Sequence, residues 1–95
     1  MVRVADYIFN RLYEAGVGHI FMVTGRGALF LADGVAKHTD LVGVAVHHEQ
    51  AAGYAAVAYA QNNERLGACL VSTGCAGTNA VTAVLNAWQD GVTCV

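Results

Sequence analysis

Short apolar runs alternate with segments of helical periodicity along the whole chain, and this alternation restricts the possible folds more than any other feature. Apolar residues recur at helical spacing from Val4 to Leu12, and Gly16 follows them as a helix stop. The same pattern predicts further helices over residues 28–37, 49–61 and 78–89, the last of which stops near Gly91. Between the helices, apolar runs predict strands over residues 19–23, 41–46, 66–71 and 92–95.

Strands that are apolar on both faces and alternate with helices are typical of a parallel sheet covered by helices on both sides. We therefore predict a three-layer α/β fold with the strand order 2-1-3-4. Ligands of such sheets bind beyond the carboxyl ends of the strands. Three segments directly follow strands, so we expect them to lie together at one edge of the sheet: residues 24–27, 47–49 and 72–79.

The composition excludes several classes of protein. Of the 95 residues, 56% are hydrophobic and only 13% are charged, which excludes a disordered tail and a coiled coil. The net charge of −2 argues against binding to nucleic acid, and an odd number of cysteines argues against a disulfide framework. No apolar run reaches the ~18 residues that span a membrane, and the first residues lack the pattern of a signal peptide, so we expect a cytoplasmic protein.

The chain is expected to form one domain over residues 1–95 that is part of a larger unit. Val95 lies inside an apolar run, so a sheet that stopped there would expose a long edge. The helix that begins at Glu49 also presents many small residues, which permit close approach to its own sheet or to a helix of another chain. A second copy or a partner chain is therefore one possible occupant of this surface, and packing within the chain is the other.

The loop segments contain the candidate functional residues, and each has a plain structural alternative. Residues 74–79 are rich in glycine and open a helix, which suits a phosphate or a polar ring but equally a tight turn. Glu49 lies in the first turn of a helix, where it either complements the helix dipole or binds a ring as an acid whose pKa is raised by apolar burial. Cys75 is either a nucleophile or a small turn residue. His47 and His48 match no metal-ligand spacing, so we expect them to be hydrogen-bonded loop residues and expect no metal site in this chain.

Four motifs stand in this order along the chain: His-Glu-Gln-Ala-Ala at 48–52, Tyr-Ala at 59–60, Val-Ser-Thr-Gly-Cys-Ala-Gly-Thr-Asn-Ala-Val at 71–81, and Ala-Trp-Gln-Asp at 87–90. Together they resemble the pyrimidine-binding (PYR) domain of thiamine-diphosphate enzymes. The resemblance is to the class of acetolactate synthases, pyruvate oxidases and 2-keto-acid decarboxylases, and it covers nearly the whole chain. It implies the thiamine-diphosphate-binding fold, in truncated form.

The resemblance also implies thiamine diphosphate as the cofactor and a catalytic role for Glu49. In this family the matching glutamate hydrogen-bonds N1′ of the aminopyrimidine, which lets the exocyclic nitrogen remove the C2 proton of the thiazolium. The activated cofactor then attacks the carbonyl of a 2-keto acid. By the same resemblance, Thr24, Gly25, Gly74 and Cys75 line the cofactor and Asn79 sets the loop. The helix from Glu49 would pack in a dimer interface.

Two departures from the family pattern affect these expectations. Proline is usual in the family at the positions of Thr24, Cys75 and Thr93, so the turns are less constrained here. The family binds the diphosphate through Mg²⁺ in a separate PP domain with a Gly-Asp-Gly motif, and this sequence contains no such motif. Three hypotheses follow: a segment of a thiamine-diphosphate lyase or transferase, a non-catalytic binding or assembly module with the same fold, or one chain of a split two-subunit enzyme.

Overall fold

The computed structural model describes residues 1–95 as five α-helices around a three-stranded sheet. The alternation of helices and strands is the predicted one. A 3-10 turn, Arg26–Ala28, precedes the second helix. The helices are α1 (Val4–Glu14), α2 (Leu29–Lys37), α3 (Glu49–Asn63), α4 (Cys75–Asn79) and α5 (Val81–Asp90), and the strands are β1 (His19–Met22), β2 (Val42–Ala45) and β3 (Cys69–Leu70).

The sheet has the order β2-β1-β3, and both strand pairs are parallel. This confirms the predicted parallel sheet and the predicted order of its first three strands. Residues 93–95 lie alongside β3, where the N–H of Gly67 donates to the carbonyl of Thr93 at 3.0 Å. The fourth strand is therefore reduced to a single parallel bridge between Gly67 and Cys94.

Helices cover both faces of the sheet. Alternate residues of β1 point to opposite sides and therefore contact different helices. Ile20 and Met22 belong to the main apolar cluster, to which α1 and α2 also contribute. His19 and Phe21 face α3 instead, with ring centroids 5.3 Å and 5.9 Å from the ring of Tyr59. The cluster contains nine buried residues: Phe9, Val17, Ile20, Met22, Ala28, Val35, Leu41, Ala68 and Leu70.

The prediction of one continuous helix over residues 78–89 is wrong, since two helices meet at Ala80. Short-range hydrogen bonds end α4: the N–H of Ala80 donates to the carbonyl of Gly77 at 3.1 Å, and the hydroxyl of Thr78 donates to the carbonyl of Cys75 at 2.8 Å. A threonine hydroxyl that bonds locally competes with a continuous helix, and glycine weakens it further. The predicted strand 66–71 is also shorter than expected, because only Cys69–Leu70 pair with β1.

Glycine ends two helices where the sequence predicts a stop. Gly16, which follows α1, has φ +105°, and Gly91, which follows α5, has φ +65°. These left-handed conformations cost a side chain strain that glycine avoids. None of the helices combines the length and the apolar character that crossing a membrane requires.

Candidate functional site

Three loops meet at the carboxyl edge of the sheet, as predicted. The segment 24–27 follows β1, the segment 46–48 follows β2 and leads into α3, and the segment 71–74 follows β3 and leads into α4. Because the three strands are parallel, their carboxyl ends lie at the same edge. Every predicted site residue lies in one of these loops or in the helix that follows it.

The loops after β1 and β3 are in direct contact. The backbone N–H of Gly27 donates to Oγ of Ser72 at 3.1 Å. A Cβ at Gly25 would lie 2.6 Å from both Cβ and Oγ of Ser72, so only glycine fits there. The backbone of Gly25 is extended, with φ −174°, so lack of space and not conformation explains this glycine. Thr24, the first residue of this loop, is exposed.

Gly74 marks the point at which the third loop turns into α4. Its φ of +69° and ψ of −127° are a conformation that side chains rarely adopt, and a Cβ there would meet nothing within 4 Å. The glycine is therefore required by backbone conformation, and its backbone lies open to solvent. Cys75 begins α4 as an exposed, free thiol.

Glu49 and Asn79 come together although 30 residues separate them in sequence. Nδ2 of Asn79 donates to Oε2 of Glu49 at 3.2 Å. Glu49 is the first residue of α3, and Asn79 is the last residue of α4. His48 caps α3, since its Nδ1 accepts from the N–H of Gln50 at 3.0 Å. The expectation that His48 is a hydrogen-bonded loop residue is confirmed.

The pKa of Glu49 is lowered from its ordinary value. A hydrogen bond to its own backbone is the main cause, followed by the hydrogen bond from Asn79, and the charge of His48 adds to both. The raised pKa that we expected from apolar burial is not found in this chain, because Glu49 is only partly buried at an open edge. The ionised carboxylate is therefore favoured by the backbone at the start of α3 and by Asn79 at the end of α4.

The remaining candidate residues divide into those that join other site residues and those that do not. Gly25 joins the loop after β3 through Ser72, whereas the side chains of Thr24 and Cys75 form no hydrogen bond. Ser72 was not among the predicted site residues. Its place directly after a strand and within the motif at 71–81 puts it at this edge, but nothing in the sequence indicates its contact with Gly27, which spans 45 residues.

The chain contains no group of three or more His, Cys, Asp or Glu side chains that could hold a metal ion. The three cysteines are free thiols, and burial raises the pKa of Cys69 and of Cys94. This edge therefore offers a carboxylate, an amide and open glycine backbone, but no set of hard oxygen ligands for Mg²⁺.

Most of the small residues of α3 pack against other parts of this chain. Ala52, Gly53 and Ala56 are buried, and a Cβ at Gly53 would lie 2.5 Å from the Cβ of Ala83 on α5. This close approach supports the alternative in which the helix packs on its own domain. Ala51, Tyr54 and Ala58 remain exposed on the outer side of α3.

The sequence of the chain matches a known protein family. Residues 2–95 match the family model "Thiamine pyrophosphate enzyme, N-terminal TPP binding domain". The chain is 36% identical over 91 residues to an acetolactate synthase of Mycobacterium avium, with 96% of this chain and 15% of the relative covered. It is 33% identical over 88 residues to an acetolactate synthase large subunit of Haemophilus influenzae, with 93% of this chain and 15% of the relative covered.

A third relative, an acetolactate synthase large subunit of Corynebacterium glutamicum, is 36% identical over 88 residues, with 93% of this chain and 14% of the relative covered. The chain thus spans only about one-seventh of the length of these relatives. The family match, by contrast, extends over almost the whole chain. The chain therefore belongs to the family of N-terminal TPP binding domains of thiamine pyrophosphate enzymes.

Proposed function

We propose that the chain forms the pyrimidine-binding part of a thiamine-diphosphate-dependent enzyme that decarboxylates or carboligates 2-keto acids, in the manner of an acetolactate synthase. One observation carries this proposal: Glu49, at the start of α3, is held by Asn79 at the edge where the glycine loops meet. The family to which the chain belongs and its acetolactate synthase relatives support the class of cofactor and substrate.

The polar groups at this edge suit an aminopyrimidine ring. Asn79 donates to Oε2 of Glu49, and a carboxylate has enough lone pairs to accept a further hydrogen bond from a ring nitrogen such as N1′. Gly74 keeps its backbone uncovered at the same edge, since no atom lies within 4 Å of the position of its missing Cβ. A flat ring with polar edges needs this combination of one positioned carboxylate and accessible backbone.

Glu49 would hold a proton between its carboxylate and N1′ of the ring. In the open chain its donors favour the ionised form. A ring that covers this edge excludes water, which disfavours the charge and raises the pKa of the carboxyl toward the range in which a proton is shared. When bound, the cofactor supplies the carbon centre that adds to the carbonyl of the 2-keto acid.

The rest of the site would come from outside residues 1–95. We propose that these residues are part of a PYR domain and that Mg²⁺ and the diphosphate are held by a PP domain, since this chain has no cluster of metal ligands. A second copy or a partner chain would contact α3 on its exposed side, at Ala51, Tyr54 and Ala58. The substrate would be a small 2-keto acid.

The test uses the holoenzyme that contains this chain, whether its other domains follow in the same polypeptide or come from a partner. Pyruvate and a set of other small 2-keto acids are supplied, and release of CO₂ is followed with and without thiamine diphosphate and Mg²⁺. We expect release only with both, and carboligated product in addition. A protein that binds thiamine diphosphate without turnover of any 2-keto acid would be a non-catalytic module, and a protein that does not bind it would contradict the proposal.

A further inference from the structure

Ser72 joins the two loops that follow β1 and β3. Its Oγ accepts from the backbone N–H of Gly27 at 3.1 Å, and this is the only side-chain hydrogen bond between the two loops. Ser72 is only partly buried, and Gly27 is exposed, so the bond lies at the rim of the carboxyl edge. We call the contact between these two residues the loop joint.

Packing around the loop joint leaves no room for larger side chains. A Cβ on Gly25 would lie 2.6 Å from Oγ of Ser72, and a Cβ on Gly27 would lie 2.7 Å from Cγ2 of Thr73 and in contact with its Oγ1. Neither Gly25 nor Gly27 has a positive φ. The two glycines are therefore needed for the close approach of one loop to the other.

We propose that Ser72 is a positioning residue: its hydroxyl fixes the loop of residues 24–27 against the loop after β3, so that the two present one binding edge. This inference rests on the proposed function for the identity of the ligand. Ser72 itself does not have to touch the ligand. Thr24 and Arg26, on either side of Gly25, are exposed and have no side-chain hydrogen bond to keep the loop in place.

The loop has little else to hold it. Its anchors in the chain are the end of β1 and the 3-10 turn, in which the N–H of Ala28 donates to the carbonyl of Gly25 at 3.1 Å. The N–H of Val23, directly before the loop, also donates to the carbonyl of Leu70 at 3.1 Å, so strand pairing sets the distance between the two loops only where they begin. The 3-10 turn lies within the segment itself, and further along the loop Ser72 makes the one side-chain hydrogen bond to the neighbouring loop. Small displacements of positioning groups are known to weaken binding and catalysis strongly.

The experiment uses the holoenzyme that contains this chain, with thiamine diphosphate and Mg²⁺ as the probe. Ser72→Ala removes the acceptor of the loop joint, and Gly27→Ala forces the joint apart from the other side. Thr39→Ala is the matched control, because its hydroxyl also makes an exposed hydrogen bond, to Asp40 at 3.1 Å, but at the start of β2, opposite the site. The measurements are the dissociation constant by calorimetry, the amide hydrogen exchange of Gly27 and the midpoint of thermal unfolding.

For Ser72→Ala we expect cofactor binding that is weaker by about 3- to 10-fold, the effect of one lost hydrogen bond. Exchange at Gly27 should be faster, and the unfolding midpoint should stay within the range of Thr39→Ala. Because both substitutions open the same joint, the double variant should lose less affinity than the sum of the two single losses.

An unchanged dissociation constant in Ser72→Ala, unchanged exchange at Gly27, or fully additive losses in the double variant would each overturn the proposal. Failure of the proposed function gives a different result, namely that the unmodified protein does not bind thiamine diphosphate. In that case faster exchange at Gly27 would still support the joint, and unchanged exchange would reject it.

Discussion

The two faces of the sheet are packed in opposite ways. On the side of α1 and α2, large side chains fill the space, and Phe9 and Ile20 are 3% and 1% exposed. On the side of α3 and α5, the helices touch through small residues, with no room for a Cβ between Gly53 and Ala83. The first face is stabilised by the volume that its side chains fill, whereas the second depends on the absence of side chains. The two faces should therefore respond in opposite ways to a change in side-chain size.

This difference in packing matters for the candidate site, because Glu49 and Asn79 lie on the small-residue face. Glu49 is the first residue of α3, and Asn79 closes α4 directly before α5. The distance between α3 and α5 therefore affects the 3.2 Å contact between Glu49 and Asn79. The large-residue face acts as a scaffold, and the small-residue face sets the geometry of the functional groups.

The largest loss of stability is expected from a cavity on the scaffold face. Phe9→Ala should lower the free energy of unfolding by about 3–5 kcal/mol, because it removes a buried ring from the nine-residue core. Urea unfolding measures the loss. Tyr7→Ala, on the same helix but with 59% of the residue exposed, is the control and should change little. Equal losses in the two variants would show that the face is not held by packing volume.

A smaller loss is expected from an added methyl group on the other face. Gly53→Ala should cost about 1–3 kcal/mol although alanine favours helices, because the new Cβ would lie 2.5 Å from the Cβ of Ala83. Exchange of the two residues, as Gly53→Ala together with Ala83→Gly, should restore much of the stability. If Gly53→Ala stabilised the chain, the close contact of α3 with α5 would not be a constraint.

The scaffold face also carries ion pairs, whose contribution depends on pH. Arg3 contacts Asp6 and Asp33, each at 2.9 Å, and its hydrogen bonds hold the pKa of both carboxyls below their ordinary value. A lowered pKa stabilises the folded state above the ordinary aspartate pKa of 3.8, and this contribution is lost as the pH falls through the lowered value. The effect should be small, because all three groups are exposed.

Unfolding in urea between pH 6 and pH 2.5 tests the ion pairs. Stability should fall less steeply at acid pH in Arg3→Gln than in the unmodified chain, because the two aspartates then titrate closer to their ordinary value. The same dependence of stability on acid pH in both proteins would show that Arg3 does not lower the pKa values of the two aspartates.

The smallest effect is expected at the site itself. Asn79→Ala removes one donor to Glu49 and should raise the pKa of Glu49 toward its ordinary value, while the hydrogen bond to its own backbone keeps part of the lowering. Titration of the glutamate carboxyl carbon by NMR measures the change. Asn86→Ala is the matched control, because that amide donates to Asp90 at 2.7 Å and not to Glu49. Equal pKa values of Glu49 in the two variants would contradict the role of Asn79.

The elements fixed by local pattern could be predicted from the sequence. Gly16 and Gly91 end helices because their backbone has positive φ, and a glycine after an apolar periodic segment is a local signal for that. The parallel sheet and the placing of Glu49 at a helix start follow from the alternation of apolar strands with helices. All six cofactor-binding residues remain predictions: Thr24, Gly25, Glu49, Gly74, Cys75 and Asn79.

Three features could not be predicted from the periodicity of the sequence. The break at Ala80 results from local bonds of Thr78 and Gly77 that compete with the helix, although their sequence has helical periodicity. The bond from Gly27 to Ser72 has no periodic signature. The lowered pKa of Glu49 has no sequence signal, because its causes are a hydrogen bond to its own backbone and a hydrogen bond from Asn79, 30 residues away.

The central claim is that Glu49 acts on the cofactor and does more than complement the dipole of α3. Exchange of the C2 proton of thiamine diphosphate, followed by NMR after acid quench in the holoenzyme that contains this chain, tests it without knowledge of the substrate. Glu49→Gln keeps the size of the side chain but cannot share a carboxyl proton. We predict that exchange falls by roughly 10²–10⁴-fold while the unfolding midpoint stays nearly constant. Unchanged exchange in Glu49→Gln would contradict the account, and a loss of exchange that matched a loss of folding would assign Glu49 a structural role.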